Sequence, residues 1–477
     1  MTSPNLAQLL VDHPFADEQP LLHGSGQVLT AGEARARARD LAAELRAAGV
    51  EAGHGVGLRM ANGPDFVVAM MAIWLSDAVF IPISDRLPEQ GLQDLLRATD
   101  PAVLLEQDGI RPLGPSRTFD PDVAFVMWTS GTTGAPKAIL HTHAAYLELL
   151  DRVLVPLRSR DRHDGRPPSP NLIPVSLALS AGIYNSLFGL RAGAPLVIMD
   201  RFTTTEFARV VHTFEIRSTV LPPAAIAMLS DDPDIEDLSP LRFVRSITAP
   251  LSPMQARRFK DRFGVFVLNS YGQAEMGEVI GWTAADAKEH PEKVGAAGRP
   301  HGGVAIKLVA EGPLGPGDMG ELYVRPPNMA AGYAAGGTLD DRADDEGFLA
   351  TGDLARVDPD GFVWIEGRVG DLINRGGNKI FPEEVEEVLQ LGSEVREAAV
   401  VGIPDERLGE VPVAFVVVDG ELDPDGLREL CRAHLVPYKV PLDFVPVTSL
   451  PRTEVGKLQR RQLRASYVPR PREHEAS

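Results

Sequence analysis

Cysteine is nearly missing from this chain: Cys431 stands alone in 477 residues. That excludes an intrachain disulfide framework and any cysteine-only metal site. Positive charge is also in short supply, with 47 Lys and Arg against 66 Asp and Glu, a net charge of −19. An acidic surface repels phosphate backbones and anionic lipid, so nucleic acid is not an expected partner. Long hydrophobic runs are missing too. The most apolar stretch, 66–83, is interrupted by Ser76, Asp77 and Pro82. It reads as a buried helix to about Leu75, a turn, and a strand at 78–81, with no membrane insertion. The first twenty residues have no basic segment leading into an apolar run, so no targeting signal is expected. What remains is 44% apolar and 24% charged residues, the profile of a soluble, globular, cytoplasmic enzyme with ample length for a large core.

Short apolar strands alternate with helical segments over the first half. Thr30 and Glu33 form a capping-box pattern opening a helix that runs to about Ala48 and stops at Gly49. Strands are expected at 56–60, 78–81, 102–105, 123–128, 196–199 and 218–221, with helices at 66–75, 144–153 and 205–214. This alternation predicts an α/β fold with a largely parallel sheet. The polar, Pro-rich segment 160–170 reads as a surface loop. From Ile306 the texture changes to short strands, IKLVA, GELYVR and FVWIEGR, as in a small β unit. Beyond Arg368 a compact α+β tail is expected: helix 382–389, strands 395–401 and 411–418, helix 424–433.

The strongest chemical signal is WTSGTTGAPK, residues 128–137, directly after an apolar strand. Gly131 and Gly134 permit close backbone approach, and Thr129, Ser130, Thr132 and Thr133 add hydroxyl donors. Lys137 adds a mobile point charge. Such a loop can turn amides toward phosphate oxygens, although it lacks the spacing of a Walker A loop. Taken alone, it reads more readily as a Gly/Thr turn with a solvated lysine.

With four further segments in order, the chain resembles the adenylate-forming superfamily of acyl- and aryl-CoA synthetases, luciferase and peptide-synthetase adenylation domains. These segments are YGQAE at 271–275, TGD at 351–353, GR at 367–368 and PRTEVGK at 451–457. The resemblance implies a large N-terminal multi-layer α/β domain with a small β unit, 1–367, a mobile C-terminal α+β lid, 371–477, and a hinge at 368–370. It implies ATP, Mg²⁺ and CoA as cofactors, and a small carboxylic acid and CoA as partners. The hydroxyl loop, Thr129 to Gly134 with Lys137, would embrace the ATP phosphates. Ala249, Asn269, Tyr271, Gly272 and Ala274 would surround adenine and AMP phosphate, Glu275 would hold Mg²⁺, and Asp353 and Arg368 would meet ribose or phosphate. Lys457, with Lys137 and Glu275, would be catalytic. RGGNKIFPEEV at 375–385 resembles the stretch lining a pantetheine tunnel, with Gly376 and Gly377 leaving room for the thiol arm, and VGIPDERLGE at 401–410 resembles the next CoA-ligase stretch. Ser176, Ile247 and Thr248 would wall the acid pocket. An acceptor other than CoA, either a carrier protein or a nitrogen nucleophile (including nitrite for diazotisation), is the alternative. A non-catalytic scaffold would not need Lys137, Glu275, Asp353 and Lys457 together.

Four departures from the family pattern stand out. Ala274 replaces a threonine donor, Gly370 replaces an Asp or Lys pivot, and the 174–182 segment carries no aromatic or histidine gate. In SITAP, 246–250, Ile247 and Thr248 replace glycines, which predicts a small or slender acid by overpacking. His141 and His143 read as structural or helix-start groups, since no third zinc ligand is apparent. The acidic run from Asp340 to Glu346 reads as a solvated loop, and Cys431 as core.

Overall fold

The computed structural model describes residues 4–114, 116–129, 137–157, 169–247, 251, 253–310, 312–315, 317–334, 338–339, 342–452 and 458–468. Helix Ala31–Ala47 begins where the capping box places it. The Thr30 hydroxyl accepts from the Glu33 N–H at 3.2 Å, and the Glu33 carboxylate accepts from the Thr30 N–H at 2.8 Å. Its buried face, Ala34, Ala38, Ala42 and Leu45, follows helical spacing. Helix Pro64–Leu75 has no polar face at all beyond its first turn, and such a helix is stable only if covered on every side. Phe66 through Trp74 are all buried, and the Trp74 indole N–H donates to the Ala124 carbonyl at 2.7 Å.

Two seven-stranded sheets flank this core. One runs in the order Phe266–Asn269, Phe243–Ser246, Ser218–Leu221, Asn171–Ile173, Leu196–Ile198, Pro20–Gly24, Gln27–Thr30, parallel except for the last pair. The other centres on parallel strands Val123–Thr129, Val79–Pro82, Gly55–Arg59 and Val103–Glu106, with antiparallel neighbours at both edges. Side chains from both sheets and both helices share one apolar cluster that includes Leu22, Ile173, Leu58 and Phe80. The mixed α/β expectation therefore holds. A three-stranded antiparallel sheet, Tyr271–Gln273, Gly277–Gly281 and Arg299–Pro300, follows.

The chain divides into two compact units. The first comprises Met1–Lys307, Tyr323–Ala350 and Asp360–Val363; the second comprises Leu308–Leu322, Thr351–Pro359 and Trp364–Ser477. Strands Ala305–Val309, Met319–Arg325 and Val363–Arg368 match the small-β reading, and Leu349–Val357 adds a strand that it did not include. In the second unit, helices Pro382–Leu389 and Pro424–His434 pack on a sheet built around Val395–Asp405 and Gly409–Val418. The former strand runs four residues past the expected 401. Gly402 and Pro404 read as breakers, but antiparallel pairing continues to Asp405 opposite Gly409. Cys431 is fully buried in this core, where burial pushes its thiol up to about 11. Nearly all of the segment 160–170 lies outside the described residues.

Replacing Thr30 by Ala removes one half of the capping box, and a loss of roughly 1 kcal/mol of unfolding free energy is expected from urea titration. The unfolding slope with denaturant should stay unchanged.

Candidate active site

Strands Val123–Thr129 and Lys137–Thr142 form an antiparallel hairpin with Thr129 opposite Lys137. The residues between them, including Ser130, Gly131, Thr132, Thr133 and Gly134, lie outside the described residues, as does the side chain of Thr129. Lys137 is exposed at the start of its strand, with its Nζ 5.2 Å from the centroid of the Tyr333 ring. Tyr333 arrives on strand Gly332–Tyr333, which pairs with the Lys137 strand.

The Tyr271–Gln273 strand turns through Ala274, Glu275 and Met276 into Gly277–Gly281. A Cβ at Gly272 would stand 2.0 Å from the Gly277 carbonyl oxygen, so only glycine fits here. The Glu275 carboxylate is buried and takes a 2.7 Å bond from Arg342 Nη1 at Oε1. Tyr333 donates to the same oxygen at 3.5 Å. Arg342 Nη2 also bonds Gln273 Oε1 at 3.0 Å and the Ala350 carbonyl at 2.7 Å. Tyr333, Glu275, Gln273 and Arg342 thus form one constellation beside Lys137. Ligation of a hard cation by Glu275 would fall to Oε2. Among the described residues no group of three acids, histidines or cysteines stands ready for a metal.

Other predicted positions gather at the carboxyl ends of the parallel strands, where open α/β sheets bind ligands. Ser246 and Asn269 are register partners closing adjacent strands, and Ile247 follows directly, its N–H bonding the Leu221 carbonyl. Asn269 Nδ2 donates to the Gly295 carbonyl at 3.3 Å. Ser176 follows strand Asn171–Ile173, in a turn clamped by Asn62, which bonds the Val175 and Met199 carbonyls and the Leu177 N–H. Thr248 and Ala249 lie outside the described residues.

In the second unit, Asp353 is a buried strand residue rather than part of a turn. Arg368 Nε stands 3.1 Å from its Oδ1, and the Asp353 N–H bonds the Thr351 hydroxyl at 3.1 Å. Gly376 and Gly377 both take positive φ, +58° and +89°, in the turn between Ile373–Arg375 and Asn378–Ile380. Lys457 lies outside the described residues, but the ends of its loop are pinned by pairing of Arg452 with Leu458 and by a bond from the Gln459 N–H to the Pro451 carbonyl. Three residues on, Arg460 contacts Glu383, Glu386 and Asp371, burying a cation against three carboxylates beside Gly370. Those acids overcome the burial cost and hold the guanidinium above its ordinary value.

Sequence reasoning missed Arg342, Tyr333 and Arg460, and a buried network around Glu278. Arg342 sits in the acidic run taken as solvated, and no spacing marks it. Of that run, Asp340 and Asp341 lie outside the described residues, while Asp344 ion-pairs with Lys307 at 2.6 Å. Glu278, three residues past Glu275, ion-pairs with Arg245, and His301 Nε2 lies 2.9 Å from its Oε1. Burial opposes the Glu278 charge, but Arg245 and His301 hold its carboxyl below the usual range.

Two α/β sheets ending in an acid-bearing hairpin, with an Asp–Arg pair on a separate α+β unit, define the architecture of an adenylate-forming ligase. Family comparison agrees. The AMP-binding enzyme model matches residues 12–117 and 111–334, and the AMP-binding enzyme C-terminal domain matches 384–457. The chain belongs to the AMP-binding enzyme family. It is 31% identical to the sulfoacetate–CoA ligase of Cupriavidus necator, over 92% of each chain. It superposes on the o-succinylbenzoate CoA synthetase of Bacillus subtilis bound to its acyl-adenylate intermediate, at TM-score 0.83 and 25% identity, covering 97% of this chain and 98% of that one. The amide bond synthetase of Marinactinospora thermotolerans gives 0.80 and 26%, covering 97% and 99%. No described helix is long and apolar enough to cross a membrane.

His141 and His143 are structural, though only His143 begins a helix. His141 is a strand residue, stacked on Phe125 and hydrogen-bonded to the Ala274 backbone; His143 Nδ1 accepts from the Leu6 N–H at 3.0 Å. Burial lowers both to about 4 from 6.5. Between those values the unfolded chain binds protons that the folded chain refuses, so stability falls as pH drops from 6.5 toward 4. For fully buried His141 the loss is on the order of 3 kcal/mol. Urea midpoints measured from pH 7 to 4.5 should fall steadily, and His141→Gln should flatten that slope.

Proposed function

We propose that the protein activates a small carboxylic acid with Mg²⁺-ATP and transfers the acyl group to the thiol of CoA. A carboxylate oxygen attacks the α-phosphorus, the bond to the β-phosphate oxygen breaks, and pyrophosphate leaves. The thiolate sulfur then attacks the acyl carbon, and AMP departs as the phosphate–acyl bond breaks. The observation that carries this reading is the Glu275 constellation, which sets an acid, an arginine and a tyrosine beside Lys137 at the end of the hydroxyl-loop hairpin.

Each residue has a defined task. Glu275 would hold Mg²⁺, which neutralises phosphate charge when bound. Asp353 offers acceptor oxygens to the ribose diol, and Arg368 aligns that carboxylate. Tyr271 offers a flat face to adenine. Lys457 offsets the charge that builds up as two anions meet, the type of electrostatic contribution that dominates such reactions. A division at 368–370 into a domain of 1–367 and a lid of 371–477 lets the lid present Lys457 first and the Gly376–Gly377 turn second. Ile247 and Thr248 favour a slender acid. Transfer to a nitrogen nucleophile is the second reading, supported by the likeness to an amide bond synthetase.

Lys457→Ala should lose acid-dependent pyrophosphate release by roughly 10²-fold or more. Given synthetic acyl-AMP and CoA, the same folded variant should form thioester at close to the parent rate. Equal loss in both half-reactions, or surviving adenylation, would overturn the assignment. Replacing CoA by an amine in the second assay separates the two acceptors.

A further inference from the structure

The buried network around Glu278 is unbalanced. Arg245 and Glu278 pair with each other, and His301 adds a third member. Arg152, on helix His143–Leu157, belongs to the same electrostatic neighbourhood, since Glu278 and Tyr184 both act on its charge. Its side chain is 1% exposed, and its Nη2 donates to the Met276 carbonyl at 3.1 Å. Its Nε and Nη1 have no hydrogen-bond partner among the described residues. The nearest acid, half-buried Glu148, holds Oε1 at 3.8 Å, beyond hydrogen-bond reach, and burial raises its carboxyl toward the neutral form. Two fixed cations thus meet one fully committed buried carboxylate.

Buried N–H donors left without an acceptor are costly, and the distant Glu148 contact does not satisfy them, so the site has donors free to receive an acceptor from elsewhere. The network's place says from where. Arg245 lies on strand Phe243–Ser246, two residues before Ile247 and the predicted acid pocket at the strand's carboxyl end. Tyr184 lies on helix Ser180–Arg191, directly after the Ser176 turn, and its ring is close enough to Arg245 and Arg152 for both to act on its hydroxyl. Glu278 is the register partner of Gly272 in the adenylate hairpin. Arg152 is also part of the wall of an open cleft of about 510 Å³ that it shares with Glu148, Asp151, Val155, Pro156 and Gly302, with Asp151 already paired to Arg191, room enough for a small molecule. Gly281 keeps the Glu278–His301 contact possible, because a Cβ there would stand 2.6 Å from Glu278 Oε1.

We infer that the acid this enzyme activates carries a second anionic oxygen group, a carboxylate or a sulfonate, and that Arg152 receives it. This rests on the adenylating function proposed above and adds the class of substrate. The carboxylate that is activated reaches the α-phosphate, while the second anion stays unreacted as an acceptor for the open N–H groups of the guanidinium. Arg152 is a specificity-determining residue, and Arg245 and Tyr184 position the charge around it.

The test uses matched acids on the full-length protein: propionate against malonate and sulfoacetate, and phenylacetate against homophthalate. Pyrophosphate release should favour the doubly anionic member of a pair by at least about tenfold in kcat/KM, as expected of a charge-assisted contact. Arg152→Met should bring that ratio to within about threefold of unity, chiefly through KM, and Arg152→Lys should restore part of it. Sulfonate against carboxylate ranks the two anions. Thermal shift in the presence of AMP reads the site without turnover: dianions should stabilise the parent more than monoanions, and Arg152→Met should lose the difference. Preferred turnover of monoanions, or a dianion preference untouched at Arg152, would overturn the inference while leaving adenylation standing. Pyrophosphate release with no acid, together with selective dianion binding, would overturn the function and leave the Arg152 site intact.

Discussion

The ion pair between Arg245 and Glu278 joins two parts of the molecule that the chain builds separately. Arg245 belongs to the seven-stranded parallel sheet, and Glu278 to the small antiparallel hairpin that carries Tyr271, Gly272 and Glu275. Burial works against both charges, yet the pair leaves the Arg245 guanidinium above and the Glu278 carboxyl below their ordinary values. Removing Glu278 would leave Arg245 buried without its carboxylate, a loss of about 3–5 kcal/mol. The hairpin that would hold adenine therefore sits where it does by electrostatic necessity, reinforced by a close backbone approach that only Gly272 permits.

The helices and strands of both units were legible in the sequence because their signals are local. Thr30 and Glu33 marked a helix start, the unbroken apolar stretch after Pro64 marked a helix buried on every face, and 218–221 read as the strand that is observed. Burial of Asp353 was not legible. A Gly-Asp pair after an acidic run resembles a turn, and only the added strand Leu349–Val357, with its alternating burial, turns that side chain inward. Arg342 was invisible for the same reason. Its partners Gln273 and Glu275 lie about seventy positions away, and no periodicity records a contact at that separation. Residues of the hydroxyl loop and Lys457 were readable only through their motifs, because polar loop residues leave no trace in hydrophobic patterning.

Two acids assigned to nucleotide handling share a feature that the motifs do not contain: each is already paired with an arginine. Glu275 meets Arg342, and Asp353 meets Arg368. The arginine engages one oxygen of each carboxylate and leaves the remaining lone pairs as acceptors. The arrangement also fixes the direction in which each carboxylate points, so less ordering is required when the ligand binds.

Set beside these pairs, Arg152 is the exception that gives the acid pocket its polarity. Glu275 and Asp353 have arginine partners within the protein, and Arg460 has three carboxylates. Arg152 has one backbone carbonyl and a carboxylate too distant to bond. In a chain with nineteen more acidic than basic residues, a buried cation could readily have been given a partner, and the surface repels anionic ligands in general. Selection of an anionic acid must then be local, supplied by a guanidinium shielded from the acidic surface, where the low dielectric strengthens its attraction. The same burial that makes the open N–H groups of Arg152 expensive to leave without an acceptor makes them selective for the group that supplies one.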